Sequence, residues 1–240
     1  MAVTNCLFLK ASAAACANEE GSIRANLKGL GVDMEVIEWV SVDDFLKQAI
    51  GKKFSIIYLG AHADNLGFGE EGLQSHQWEE LGVAICASEC MLPEGTLFLG
   101  CCRGGMKIVA LKILQQCDKI DYIFGPDWNT KGGDLVTAFT TYIRNRLTKA
   151  EEPCVAARRA SEATGQSFTC YDRQELEAEI EFLRKFEGLE FTQQFIVQQQ
   201  NNVLKSVELL TANVTEITKL LKESKSVVEQ VSSSGDRVAS

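Results

Sequence analysis

The sequence lacks long hydrophobic runs and any excess of basic residues. No apolar stretch approaches the roughly 20 residues that a membrane-spanning helix needs, so we expect no membrane partner. The 24 Lys and Arg are outnumbered by 33 Asp and Glu, giving a net charge of −9, which argues against nucleic acid or an anionic membrane surface as the main partner. The apolar segment at 6–16 has no leading basic residue and is interrupted by Lys10, so it is not read as a signal peptide.

The nine cysteines favour a reducing compartment. They are odd in number and unevenly spaced, and the chain, with 45% hydrophobic residues, is long enough to build a core without cross-links. We therefore expect a cytoplasmic protein.

Short apolar runs alternate with helical patterns as far as about residue 165. The predicted strands cover 5–10, 34–40, 54–60, 96–101 and 121–125. The predicted helices cover 19–30, 42–50, 76–88, 104–117, 132–149 and 152–165. This alternation predicts an α/β fold with a mostly parallel sheet and helices on both faces.

The chain changes character after residue 171. Proline is absent there, and apolar residues from Val203 to Val231 recur at alternating steps of four and three, the pattern of a coiled coil. We therefore predict a domain over 1–170, a helical coiled-coil interaction region over 171–231 and a disordered tail over 232–240.

The partner of the coiled-coil seam stays open. Its flanking positions carry few opposed charges, so they specify a partner poorly. Self-association, a regulatory protein or an upstream helix at 173–187 could cover it. That helix offers Leu176, Ile180 and Leu183.

Two buried strand runs lead into reactive side chains. The run at 54–60 is followed by Ala61 and His62, and the run at 96–100 by Cys101 and Cys102. The carboxyl ends of the strands form the ligand crevice of an open α/β sheet. An imidazole and a thiol delivered to one crevice are the parts of a cysteine nucleophile and its proton carrier.

These two motifs resemble those of a known superfamily. Residues 101–104, Cys-Cys-Arg-Gly, resemble the nucleophile motif of the caspase-like (clan CD) cysteine peptidases, and residues 58–62, Tyr-Leu-Gly-Ala-His, resemble their His motif. The superfamily includes the CHAT (caspase and HetF-associated) domains of bacteria. The resemblance, over roughly residues 1–165, implies a caspase-like fold and a cysteine endopeptidase acting on a protein substrate. By analogy with bacterial members, it also implies a role in antiviral defence or regulated cell death.

The resemblance implies roles for individual residues. Cys102 would be the nucleophile, helped by a helix start near residue 104, and His62 would carry the proton for the leaving amine. The backbone N–H groups of Cys102 and Ala63 would bind the oxyanion, although caspases carry Gly where this chain has Ala63. Cys101 is a rival nucleophile, because neighbouring strand side chains face opposite sides, and the motif alignment favours Cys102.

The substrate pocket is expected around four positions. Trp128 matches the tryptophan that lines the caspase pocket, but Asn129 replaces the arginine that binds a P1 aspartate. Gly100 stands where caspases place Gln and metacaspases Asp, so no strict aspartate preference is expected. Asp127 or Asp64 could attract a basic P1 side chain, and an uncharged P1 is equally open.

We expect neither a cofactor nor a metal. The glycines at 67–72 have dinucleotide-fingerprint spacing, but they begin well past a strand end and are interleaved with acidic residues. Cys86 and Cys90 fall on a helical stretch, and no second compact pair completes a zinc site. His76 is a backup proton carrier only if His62 is misplaced.

Two other functions remain open. The chain could be a catalytically inactive caspase-like adaptor that acts through its coiled coil, a hypothesis to which Ala63 lends weight. A small-molecule or nucleotide sensor is disfavoured by the acidic charge and by the lack of a basic phosphate loop. Because the first predicted strand starts near residue 5, we expect no separate prodomain. Control of a peptidase would then come from the 171–231 region or from a partner.

Overall fold

The computed structural model describes residues 5–71 and 73–185. The strands are β1 Asn5–Lys10, β2 Asp33–Glu38, β3 Phe54–Gly60, β4 His62–Ala63, β5 Gly67–Glu70, β6 Leu73–Gln77, β7 Met91–Gly100, β8 Tyr122–Pro126 and β9 Phe168–Asp172. The helices are α1 Ala13–Cys16, α2 Glu19–Gly29, α3 Val42–Ala49, α4 Trp78–Ser88, α5 Lys107–Gln116, α6 Gly132–Thr148, α7 Pro153–Thr164 and, over 173–185, α8. The predicted coiled-coil seam and tail lie outside the described residues.

Local chemistry sets several helix ends. The Ser41 hydroxyl accepts a hydrogen bond from the Asp44 amide at 3.2 Å and caps α3, as the sequence predicts. Pro153 occupies the first turn of α7, where no intrahelical donor is needed. Gly165 ends the same helix with φ +66°, a conformation that glycine adopts without strain.

The predicted mostly parallel sheet is confirmed. Six strands pair in the order β2-β1-β3-β7-β8-β9, of which the first five are parallel and β9 is antiparallel to β8. A small antiparallel sheet, β4-β5-β6, follows β3. The small sheet and β9 were not predicted, because their strands are short and mix glycine, polar and aromatic residues without a long apolar run.

Helices cover both faces of the main sheet. Along the fully buried β3, Ile57 and Leu59 join the cluster formed with α3, α4 and α5, while Ile56 and Tyr58 join the cluster formed with α2, α6 and α7. A strand buried on both faces must be apolar at every position, which explains its unbroken hydrophobic run.

Helix α8 is part of this core. Leu176 and Ile180, which the sequence offers to the coiled-coil seam, are buried in the cluster that contains α5. Lys107 of α5 is 2.6 Å from the Glu179 carboxylate, which ties the two helices together at the surface. Among the helices in the described part of the chain, none is both long and apolar enough to cross a membrane.

Candidate active site

A cavity of about 470 Å³ lies at the carboxyl ends of β1, β3 and β7. The helix that follows β1, α2, packs on one face of the sheet, and the helix that follows β3, α4, packs on the other. A crevice forms where neighbouring parallel strands connect to opposite faces in this way. Ala61 and His62, which follow β3, and Cys101 and Cys102, which follow β7, all line the cavity. The structure therefore brings the predicted imidazole and thiol to the same cavity.

The two adjacent cysteines differ in their surroundings. Cys101 is only 1% exposed and belongs to the hydrophobic core, whereas Cys102 is half-buried. Burial, with smaller contributions from Cys102 and Glu19, raises the pKa of the Cys101 thiol well above its usual value. Since the thiolate is the nucleophilic form, these surroundings disfavour Cys101.

The segment after β7 is a loop and not the start of a helix. Residues 101–105 form bends and turns, and α5 begins only at Lys107, so the predicted helix start at 104 is wrong. The electrostatic effect of a helix end fades within its first turn, so the expected help to Cys102 from a helix start loses its basis. Arg103 instead adopts φ +61°, a left-handed conformation uncommon for residues other than glycine.

This loop, residues 101–105, is fixed against the end of β8. The Gly105 amide donates to the Pro126 carbonyl at 2.8 Å, and the Arg103 amide to the Trp128 carbonyl at 3.3 Å. The Gly104 amide donates back to Cys101 at 3.3 Å. Because the three amides that follow Cys102 are engaged, the amide of Cys102 itself is the candidate oxyanion donor of this loop.

His62 lies on a hairpin that is tied to the neighbouring helix. It pairs with Gly69 in the β4–β5 ladder. The carboxylate of the next residue, Glu70, accepts hydrogen bonds from the Ser12 hydroxyl at 2.7 Å and the Ala13 amide at 2.6 Å. The hydrogen bond from Ser12, followed by that from Ala13, lowers the pKa of Glu70. The nearby His62 lowers it slightly further.

Ala63 follows His62 in β4 and pairs with Phe68. It is not among the residues with positive φ, so its backbone needs no glycine here. The substitution of alanine for the caspase glycine therefore introduces no backbone strain at this point.

The two predicted pocket aspartates do not line the cavity. The Asp64 carboxylate accepts from the amides of Leu66 at 2.7 Å and Gly67 at 3.1 Å, which closes the turn between β4 and β5. The Asp127 carboxylate accepts from the Ser167 hydroxyl. The Asp64 bonds close a turn, a common role for aspartate, whereas the Asp127 bond is to a residue 40 positions further along the chain.

The other two predicted pocket residues are also absent from the cavity lining. Trp128 is 70% exposed outside the cavity. At Gly100 the place of a side chain is taken by Tyr58, since an added Cβ would lie 2.6 Å from its ring carbon Cε1.

The alternative proton carrier His76 lies in β6, away from the cavity lining. Its ring makes an edge contact with Trp39 and is tilted against Phe68, and its Nδ1 is 3.5 Å from the Glu80 carboxylate. Within residues 5–71 and 73–185, no three His, Cys, Asp or Glu side chains converge as metal ligands.

The cavity contains an acidic residue that the sequence analysis did not single out. Glu19, at the start of α2, is 5% exposed and lines the cavity. The Tyr58 hydroxyl donates to its Oε2 at 2.7 Å. Burial raises the pKa of Glu19 to about 7, and the Tyr58 hydrogen bond offsets part of that rise. The signal was available, because Glu19 stands four and eight positions before Ile23 and Leu27 on the buried face of α2.

Glu19→Gln is expected to stabilise the protein above neutral pH. A carboxyl whose pKa rises from 4.5 to about 7 on folding holds its proton more tightly in the folded state, so the stability present below pH 4.5 falls as the pH rises through 7. Glutamine keeps the shape and removes the buried charge. We expect the free energy of unfolding at pH 8 to rise by about 1–3 kcal/mol, with little change at pH 4.

Denaturant titrations at the two pH values measure this difference. The control is Glu20→Gln, the same change at the next residue, where the carboxylate is more exposed and pairs with Arg24 at 3.2 Å. A gain at pH 4 as large as that at pH 8 would contradict the assignment of a buried, titrating carboxyl.

Comparisons with known proteins do not identify a family. No protein-family model and no curated protein matches the chain. Among solved structures, the chain is similar to one from the Saccharomyces cerevisiae separase–securin complex, with 10% identity and a TM-score of 0.38. The match covers 72% of this chain and 12% of that chain. The function is therefore inferred from the cavity.

Proposed function

We propose that this chain is a cysteine peptidase in which Cys102 is the nucleophile and His62 the proton carrier. One observation carries the proposal: both side chains line the same cavity at the strand ends. Cys101 also lines it, but Cys101 is a buried core residue whereas Cys102 is half-buried. A nucleophile and a base on neighbouring strands are the two groups that covalent catalysis of acyl transfer requires.

The proposed reaction has two stages. The Cys102 thiolate attacks the peptide carbonyl, the C–N bond breaks, and the amine leaves with a proton from imidazolium His62. Water then attacks the thioester as His62 takes its proton, releasing the carboxylic acid and Cys102. The amides of Cys102 and Ala63 are proposed to hold the oxyanion in both stages.

We further propose a protein substrate and control through the 171–231 region, by self-association or a regulatory protein. A role in defence or regulated cell death follows from the motif resemblance. Because Leu176 and Ile180 are core residues, a truncation that tests this control while preserving the fold has to begin after residue 185.

Thiol labelling of the full chain tests the proposal. With iodoacetamide or an acyloxymethyl ketone peptide probe, we expect Cys102 to be modified faster than the other eight cysteines. His62→Ala should lower the Cys102 rate by about 10-fold or more, since the activating base is lost. Peptide mapping by mass spectrometry gives the rate at each cysteine.

The matched control is His76→Ala, which removes the partly buried imidazole outside the cavity and should leave the Cys102 rate unchanged. Labelling of Cys102 no faster than that of Cys86 or Cys154, or a rate unaffected by His62→Ala, would favour the inactive adaptor instead.

A further inference from the structure

The cavity holds a buried acid that has no Lys or Arg partner among the described residues. Among the described residues that line it, Glu19 is the only Asp, Glu, Lys or Arg. No ion pair within residues 5–71 and 73–185 includes it. A carboxyl taken out of water without a counter-ion is destabilising, and proteins compensate such groups with a partner of opposite charge.

The two carboxylate oxygens of Glu19 have different neighbours. Oε2 accepts the Tyr58 hydroxyl at 2.7 Å, while a Cβ added at Gly132, another lining residue, would lie 2.9 Å from Oε1. The missing side chain at Gly132 therefore leaves room for the Glu19 carboxylate in the cavity lining. Gly133 beside it leaves further space, since nothing lies within 4 Å of a Cβ there.

Apart from Glu19, the ionisable side chains of the lining are His62, Cys101 and Cys102. Ala15, Ser22 and Ala61 contribute short side chains around Glu19. An acidic group entering this space would meet a like charge, whereas a cation would favour the ionised form of Glu19. The burial that raises the pKa of Glu19 to about 7 is the desolvation that a bound cation offsets.

We propose that this cavity receives a basic side chain, arginine or lysine, on the acyl side of the scissile bond, with Glu19 as its counter-ion. The inference rests on the proposed peptidase function, because it is the nearness of Glu19 to Cys102 and His62 in one lining that makes the cavity a substrate subsite. It replaces Asp64 and Asp127, whose carboxylates are engaged by other hydrogen bonds outside the cavity lining, as the acidic determinant of specificity.

Peptides that differ only at P1 test the proposal. We compare arginine, lysine, citrulline and aspartate, where citrulline keeps the shape of arginine without its charge. With the full chain, we expect kcat/KM for arginine or lysine to exceed that for citrulline by at least about 10-fold, since a hydrogen bond to a charged group is worth that much. Glu19→Gln should reduce the arginine-to-citrulline ratio to about 1. Glu20→Gln, the neighbouring control, should leave the ratio unchanged.

Acyloxymethyl ketones bearing arginine or citrulline give a second readout, the rate at which Cys102 is modified. Equal rates with both probes, on a chain whose Cys102 still depends on His62, would overturn the cationic subsite and leave the peptidase standing. An arginine preference that survives Glu19→Gln would remove Glu19 from the role. Failure of every probe to modify Cys102 would overturn the proposed function, and the subsite with it.

Discussion

Cys102→Ala is expected to abolish peptide cleavage, with kcat/KM at least about 1,000-fold below that of the unmodified chain, because loss of a covalent nucleophile leaves only binding and electrostatic contributions. Cys101→Ala is expected to keep activity within a few-fold. Cys101 is a buried core thiol, so its loss should appear as destabilisation of about 1 kcal/mol.

The pair of variants is read by initial rates on a cleaved peptide and by denaturant titration. The two cysteines are adjacent, so each is a matched control for the other. A folded Cys101→Ala protein without activity, or an active Cys102→Ala protein, would exchange their roles and contradict the cavity-based assignment.

Gly105→Ala is expected to disable the site by displacing the nucleophile loop, residues 101–105. A Cβ at Gly105 would lie 2.7 Å from the carbonyl carbon of Gly125 and 2.9 Å from that of Pro126. Both are backbone atoms of β8, which cannot yield without shifting the strand. We expect the free energy of unfolding to fall by about 1–3 kcal/mol because of the overpacking. We expect kcat/KM to fall by about 100-fold, because a catalytic group displaced by about 1 Å can lose that factor in rate.

Stability and rate must be measured on the same preparation, because the loss of rate should exceed the fraction unfolded. Gly21→Ala provides the control, as a Cβ at this helical position meets nothing within 4 Å. Retention of full activity and stability in Gly105→Ala would show that the loop does not depend on its close approach to β8.

The sequence predicted the features that burial imposes. β1 and β3 were predicted with the bounds observed, because a strand covered on both faces must be continuously apolar. The same reasoning located His62 and Cys102 at strand ends that share a cavity.

The sequence could not assign the acidic residues. Asp64 and Asp127 look like pocket residues by their positions. Yet the Asp64 carboxylate accepts from nearby backbone amides, and the Asp127 carboxylate accepts from the Ser167 hydroxyl 40 residues further on. Neither bond is visible in a pattern of residue types. Glu19 looks like an ordinary first-turn acid, which helices favour. Only the packing of α2 against Tyr58 and α6 turns it into the cavity.

The contact between Gly100 and Tyr58 constrains how this chain can diverge. A larger residue at 100 requires that position 58 shrink first, because the tyrosine ring already fills that space. Shrinking position 58 in turn strips Glu19 of its hydroxyl donor. The three positions are therefore physically coupled, and an engineer who wishes to place a new recognition group at position 100 must redesign all three together.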